Sequence, residues 1–153
     1  MSQSLQDRYA PRSACFGCGP ANADGLRIQS FVQGDELVCT WQPARMHEAF
    51  PGMLNGGIVG ALLDCHCNWT AAWHLMQQLG GGAPPCTVTA EYSIKLRRPT
   101  PTAGPVLLRA KVVESLADRA SVTGTLEAGG KVCATCDGLF VAAAVEHALY
   151  AFH

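Results

Sequence analysis

Charge is scarce in this sequence: only 15% of its 153 residues are Asp, Glu, Lys or Arg, and the formal net charge is −1. A near-neutral chain lacks the broad attraction that nucleic-acid and anionic-membrane binders use, so neither partner is expected. Long apolar runs are scarce too. The opening stretch MSQSLQDRYAPRSACFGCG has no basic region followed by an apolar one, which predicts neither signal peptide nor membrane anchor and points to a cytoplasmic protein. The length suits a single domain over residues 1–153, and a hydrophobic content of 48% can fill its core. Cysteine, by contrast, is plentiful. Most of the eight cysteines lie in apolar segments, where a reduced thiol packs as a small hydrophobe, so they are read as mainly reduced.

Residues 1–24 are polar and broken by Pro11, Gly17, Gly19 and Pro20, which predicts an irregular segment lying over the domain. From Leu26 to Gln33, Leu26, Ile28 and Val32 alternate with Arg27, Gln29 and Gln33, as in a half-buried strand. Gly34-Asp35 turns the chain into a second strand carrying Leu37, Cys39 and Trp41. The stretch from Asn55 to Leu79 reads as a long helix stopped by Gly80-Gly81-Gly82, and its first half, GGIVGALLDC, is apolar almost all round and is expected to be buried. After Pro84-Pro85, Val88, Ala90, Tyr92, Ile94 and Leu96 alternate with polar residues, predicting a strand with one dry face. Three further strands follow, over Val106–Leu116, Ala120–Ala128 and Lys131–Ala144, with a tail from Val145 that takes no assignment. A sheet with one apolar face has to be covered, and the only long apolar helix falls between its second and third strands. The prediction is an α+β fold: six antiparallel strands wrapped around one central helix.

That order, with HEAFPGMLNGGIVGALLD at positions 47–64, CFGCGPANADGL near the start and the strand TVTAEYSIKLRRPTPTAGP, resembles the hotdog-fold acyl-CoA thioesterases, in particular the phenylacetic-acid-degradation type. The resemblance runs from about residue 14 to residue 144. In that family a His-Gly-Gly segment opens the central helix and an acidic residue follows nine positions after the histidine; the matching residues here are Asn55-Gly56-Gly57 and Asp64. Asparagine replaces the histidine, so no imidazole acts at this position. The resemblance implies an acyl-CoA or similar thioester substrate and a homodimer or homotetramer with the active site at a dimer interface; no cofactor is expected.

The residues support a parallel reading. Glycines at a helix start let a substrate approach unpaired N–H groups where the helix dipole favours negative charge, so Gly56 is expected to give access and Gly57 N–H to polarise a thioester carbonyl. Asn55 caps the helix or donates an amide hydrogen bond, but carries no proton to shuttle. Asp64 interrupts an apolar helix, where an ionised carboxylate needs a partner or solvent, and is the candidate base or nucleophile; the bland alternative is a carboxylate that merely fixes the helix. Along a helix Asn55 and Asp64 are about 13.5 Å and half a rotation apart, so a site using both requires two protomers. Asn68 lies one turn after Asp64 on the same face and is expected to orient the carboxylate or a water. His66 points away and is read as a packed or interface residue, while His47 is a candidate pocket residue. Arg97 and Arg98, beside the Pro-rich turn, are candidates for coenzyme A phosphates, with a solvated sheet face as the alternative.

Cys15-x-x-Cys18 has the spacing of a zinc knuckle, but Cys133 and Cys136 sit three apart on a strand and face opposite sides unless a bulge intervenes. With only one chelating pair in view, no metal is expected. Thioester hydrolysis is the leading function. A non-catalytic acyl-CoA-binding protein is the alternative that Asn55 keeps open, and a hydratase or dehydratase is disfavoured because no aspartate-histidine pair has suitable spacing.

Overall fold

A computed structural model describes residues 2–143. The predicted tail from Val145 lies outside the described residues. The elements are helix α1 (Leu5–Tyr9), strands β1 (Phe31–Gln33) and β2 (Glu36–Trp41), a 3-10 turn (Arg45–His47), strands β3 (Glu48–Phe50) and β4 (Met53–Leu54), helix α2 (Gly56–Gln78), and strands β5 (Thr87–Leu96), β6 (Val106–Ser115), β7 (Arg119–Ala128) and β8 (Lys131–Ala142). Six strands form one antiparallel sheet in the order β1-β2-β6-β7-β8-β5. Gly129 and Gly130, with φ of +59° and +78°, make the tight turn between β7 and β8 that L side chains would strain.

The core is built by two periodicities. Along β7 every second residue, from Ala120 through Val122 and Leu126 to Ala128, is buried; β6 adds Val106 and Leu108, and β2 adds Leu37, Cys39 and Trp41. Helix α2 lays Val59, Leu62, Leu63, Ala71 and Ala72 across that face. Leu62 and Leu63 are fully enclosed, so truncating either to alanine removes apolar contacts worth about 2–5 kcal/mol. The α+β architecture agrees with the sequence prediction.

Several local expectations need correction. The N-terminal segment contains the one-turn helix α1, because Ser4 caps it through Asp7 N–H and Gln6 reaches across to Ser30. The first strand is only three residues long: Leu26 and Ile28 are buried as expected, but their N–H groups bond to the carbonyls of Phe16 and Gly17 in the N-terminal loop instead of to β2. Val32, expected inside, is exposed. The β3–β4 hairpin was not foreseen; it is tied by Leu54 N–H to Thr100 C=O (2.9 Å) and carries the chain into α2. Most instructive is the apolar side of β5. In a single chain Tyr92 is 46% and Leu96 61% exposed, and the opening turn of α2, Gly56 and Gly57, is exposed as well, because β5 is an edge strand with no element beyond it among the described residues.

Candidate functional site

Asn55 ends the β4–α2 connection in an extended conformation, and its Oδ1 accepts from the N–H groups of Gly57 (2.7 Å) and Ile58 (3.2 Å). Gly57 N–H is therefore engaged within the helix start and does not face outward as expected. The neighbouring Gly56 N–H has no acceptor among the described residues, so it is the amide that remains available there. Asn55, Gly56 and Gly57 are all exposed. His47 lies beneath this turn: its carbonyl accepts from Asn55 N–H (2.9 Å), while its ring accepts from Ala44 N–H (2.9 Å) and rests 4.9 Å from Trp41. Its imidazole is thus held by the 3-10 turn. Arg97 and Arg98 follow β5 at this same end, exposed, with both backbone N–H groups on the Cys133 carbonyl.

Asp64 and Asn68 form a second group on α2. Thr89 on β5 donates its hydroxyl to Asp64 Oδ1 (2.7 Å), and Asn68 Nδ2 donates to Thr87 C=O (3.0 Å) and to Thr89 Oγ1 (3.3 Å). Asn68 therefore reaches the carboxylate through Thr89, not directly. Oδ2 of Asp64 has no hydrogen bond among the described residues. Burial pushes the Asp64 carboxyl above its usual range; the Thr89 hydroxyl opposes this and the charge of Cys15 adds to it. A pocket of about 280 Å³ opens here, lined by Asp64, Asn68, Thr89, Cys15, Cys18 and Cys65 among others.

Two residue types in this pocket escaped the sequence reading. Thr89 was visible as a polar position of β5, but only the packing of β5 on α2 brings it to Asp64. Cys65, next to Asp64 in the chain, places its sulfur 3.8 Å from that of Cys15, and the sulfurs of Cys15, Cys18 and Cys65 all lie within 4.8 Å of one another. By contrast Cys133 and Cys136 are buried in the core, with the Cys133 thiol turned to the carbonyls of Ala128 and Lys131. His66 is buried and internally satisfied. Its Nε2 faces the Leu37 carbonyl (2.8 Å), which can only accept, so the proton sits on Nε2 and Nδ1 accepts from Ser30 Oγ (2.8 Å).

No protein-family model matches the sequence, and no curated protein does. Among solved structures, a thioesterase superfamily protein of Shewanella loihica PV-4 superposes with a TM-score of 0.70 at 27% identity, covering 91% of this chain and 99% of that one. The fold is that of the hotdog thioesterase superfamily. A phenylacetic acid degradation-related protein of Ralstonia eutropha JMP134 shares the hotdog fold at 23% identity (TM-score 0.64, covering 82% of this chain and 92% of the other). So does a Bacillus halodurans protein solved with CoA, at 22% identity (TM-score 0.62, 78% and 76% covered). Among the described residues, no helix is long and apolar enough to cross a membrane.

Proposed function

We propose that this chain hydrolyses an acyl thioester of the acyl-CoA class at a site assembled from two copies. The observation that carries the reading is Asp64: a half-buried carboxylate on the central hotdog helix, held at Oδ1 by Thr89, with Oδ2 turned to no protein donor among the described residues and a pocket beside it. Such a group is suited either to take a proton from water or to attack the thioester carbon. The negative charge that develops on the carbonyl oxygen needs donors, and within one chain the open helix start is far from Asp64.

A second copy closes that gap. Strand β5 runs from Thr89, beside Asp64, to Leu96, which lies against Gly56; a β-carbon on Gly56 would sit 3.3 Å from Leu96 Cδ1. If the free edges of two β5 strands pair antiparallel about a two-fold axis, the end of one meets the beginning of the other. The Gly56 N–H of one copy then lies near Asp64 of its partner, and the exposed Tyr92, Leu96 and opening turn of α2 are covered. Arg97 and Arg98 come to the rim of the shared site, where guanidinium groups suit the phosphates of coenzyme A.

The competing reading is an acyl-CoA-binding protein without catalysis. It is favoured by one observation: Asn55 stands where the family has histidine and spends its side-chain oxygen on capping. Thiol release measured over a panel of acyl-CoA esters separates the two. Turnover of at least one ester, lost in Asp64→Asn, supports hydrolysis, whereas saturable binding without thiol release supports the alternative.

A further inference from the structure

We infer that Cys15, Cys18 and Cys65 form a binding site for a thiophilic metal ion, zinc(II), that clamps the N-terminal loop to the central helix. The expectation of no metal rested on one chelating pair in the sequence. The fold supplies a third thiol from α2.

Three features of the cluster go beyond casual packing of small hydrophobes. The first is spacing. Thiolates bound to tetrahedral zinc at about 2.3 Å stand about 3.8 Å from one another. The Cys15 and Cys65 sulfurs are 3.8 Å apart, and all three sulfurs lie within 4.8 Å, so the widest pair has to close by no more than about 1 Å.

The second is the loop itself. Gly19 N–H bonds back to the Cys15 carbonyl (2.9 Å), which folds the C-x-x-C-G segment around its first cysteine. A β-carbon at Gly17 would collide with the Cys65 sulfur, so the absence of a side chain there is what admits the third thiol.

The third is the surrounding shell. Trp69 Nε1–H donates to the Cys18 sulfur (3.4 Å), as outer groups do for metal-bound thiolates. Three sulfurs this close can all be thiolates only with a cation between them, and an ion of charge +2 supplies that compensation. Soft sulfur donors select zinc over magnesium or calcium. Cys15, Cys18 and Cys65 also line the pocket beside Asp64, which leaves room for a fourth ligand such as water.

The site is independent of the acyl-thioester reading, because its readout is spectroscopic. The full chain, reduced and kept free of oxygen, is titrated with cobalt(II) as a probe for zinc. One equivalent is expected to produce a thiolate-to-cobalt charge-transfer band with tetrahedral d–d bands, and zinc is expected to bleach both. Cys15→Ser and Cys65→Ser, checked for native circular dichroism, are each expected to weaken cobalt binding more than about tenfold, while Cys133→Ser leaves it unchanged. Should either variant fail to fold, Gly17→Ala, which displaces the Cys65 sulfur, takes its place with the same expectation. A natively folded, fully reduced wild type that develops no charge-transfer band overturns the site. So does a band that survives both Cys15→Ser and Cys65→Ser.

Discussion

The Asp64 carboxylate is held on one oxygen and open on the other, and this asymmetry makes its substitution informative. Asp64→Asn keeps the shape and the Thr89 contact but removes the base or nucleophile. The rate of thiol release should fall at least about 100-fold with unchanged circular dichroism. Thr89→Val should lower the rate by only about tenfold, the effect of one lost hydrogen bond. If the Asp64→Asn protein worked at the wild-type rate, Asp64 would be structural. His66 carries a different consequence. Burial drives its pKa from 6.5 down to about 4, and its hydrogen-bond partners, the Ser30 hydroxyl and the Leu37 carbonyl, hold the neutral tautomer. Below pH 6.5 the unfolded chain therefore binds a proton that the folded chain refuses. Full stability is present above that pH and declines as pH falls towards 4, by about 2 kcal/mol at pH 5 from this group. Urea melts of wild type and His66→Gln at pH 7 and pH 5 check it; the variant should lose much of the difference between the two pH values.

At the scale of elements, helix α2 and its two ends were the most legible parts of the chain. Asn55 and Gly80 delimit the helix as their chemistry requires: a side-chain oxygen takes two N–H groups at the start, and a residue at φ +65° ends it. Asn55→Ala should therefore lower stability by about 1 kcal/mol and weaken hydrolysis less than Asp64→Asn does, since Gly56 N–H is still present. A thermal melt paired with the thiol-release assay reads both effects. The short strands were legible only in part. The alternation at Leu26 and Ile28 reports burial correctly, yet burial alone does not say whether the backbone pairs with a strand or with a loop. Thr87 and Thr89 show the same limit. Their polar side was plain in the pattern of β5, while their partners on α2 depend on how a helix far away in sequence lies across the sheet.

For the whole molecule the open question is what covers β5. A ten-residue edge with exposed Tyr92 and Leu96 is a surface on which another strand pairs readily. Light scattering should give at least a dimer at micromolar concentration, and Tyr92→Lys together with Leu96→Lys should shift it towards monomer and reduce thiol release. A sharper check uses hybrids. Gly56→Val blocks one half of the proposed site and Asp64→Asn the other. Random mixing of the two inactive chains should restore about a quarter of wild-type activity, because half the dimers are mixed and each carries one intact site. No recovery after confirmed exchange would mean that both groups serve within one chain.

From the sequence alone came the period-two strands, the capped helix, the antiparallel order and the position of an acidic residue in an apolar helix, since each of these is encoded over a few neighbouring residues. Tertiary structure decided what no local pattern holds: that Thr89 steadies Asp64, that Asn68 reaches Thr87 and Thr89 on β5, and that Cys65 joins Cys15 and Cys18. Cys15 and Cys65 are fifty positions apart in the chain and 3.8 Å apart at their sulfurs. Such a meeting arises from the packing of the N-terminal loop on the helix. Sequence spacing sets distances only along one element, and contacts between elements are set by how their faces bury one another.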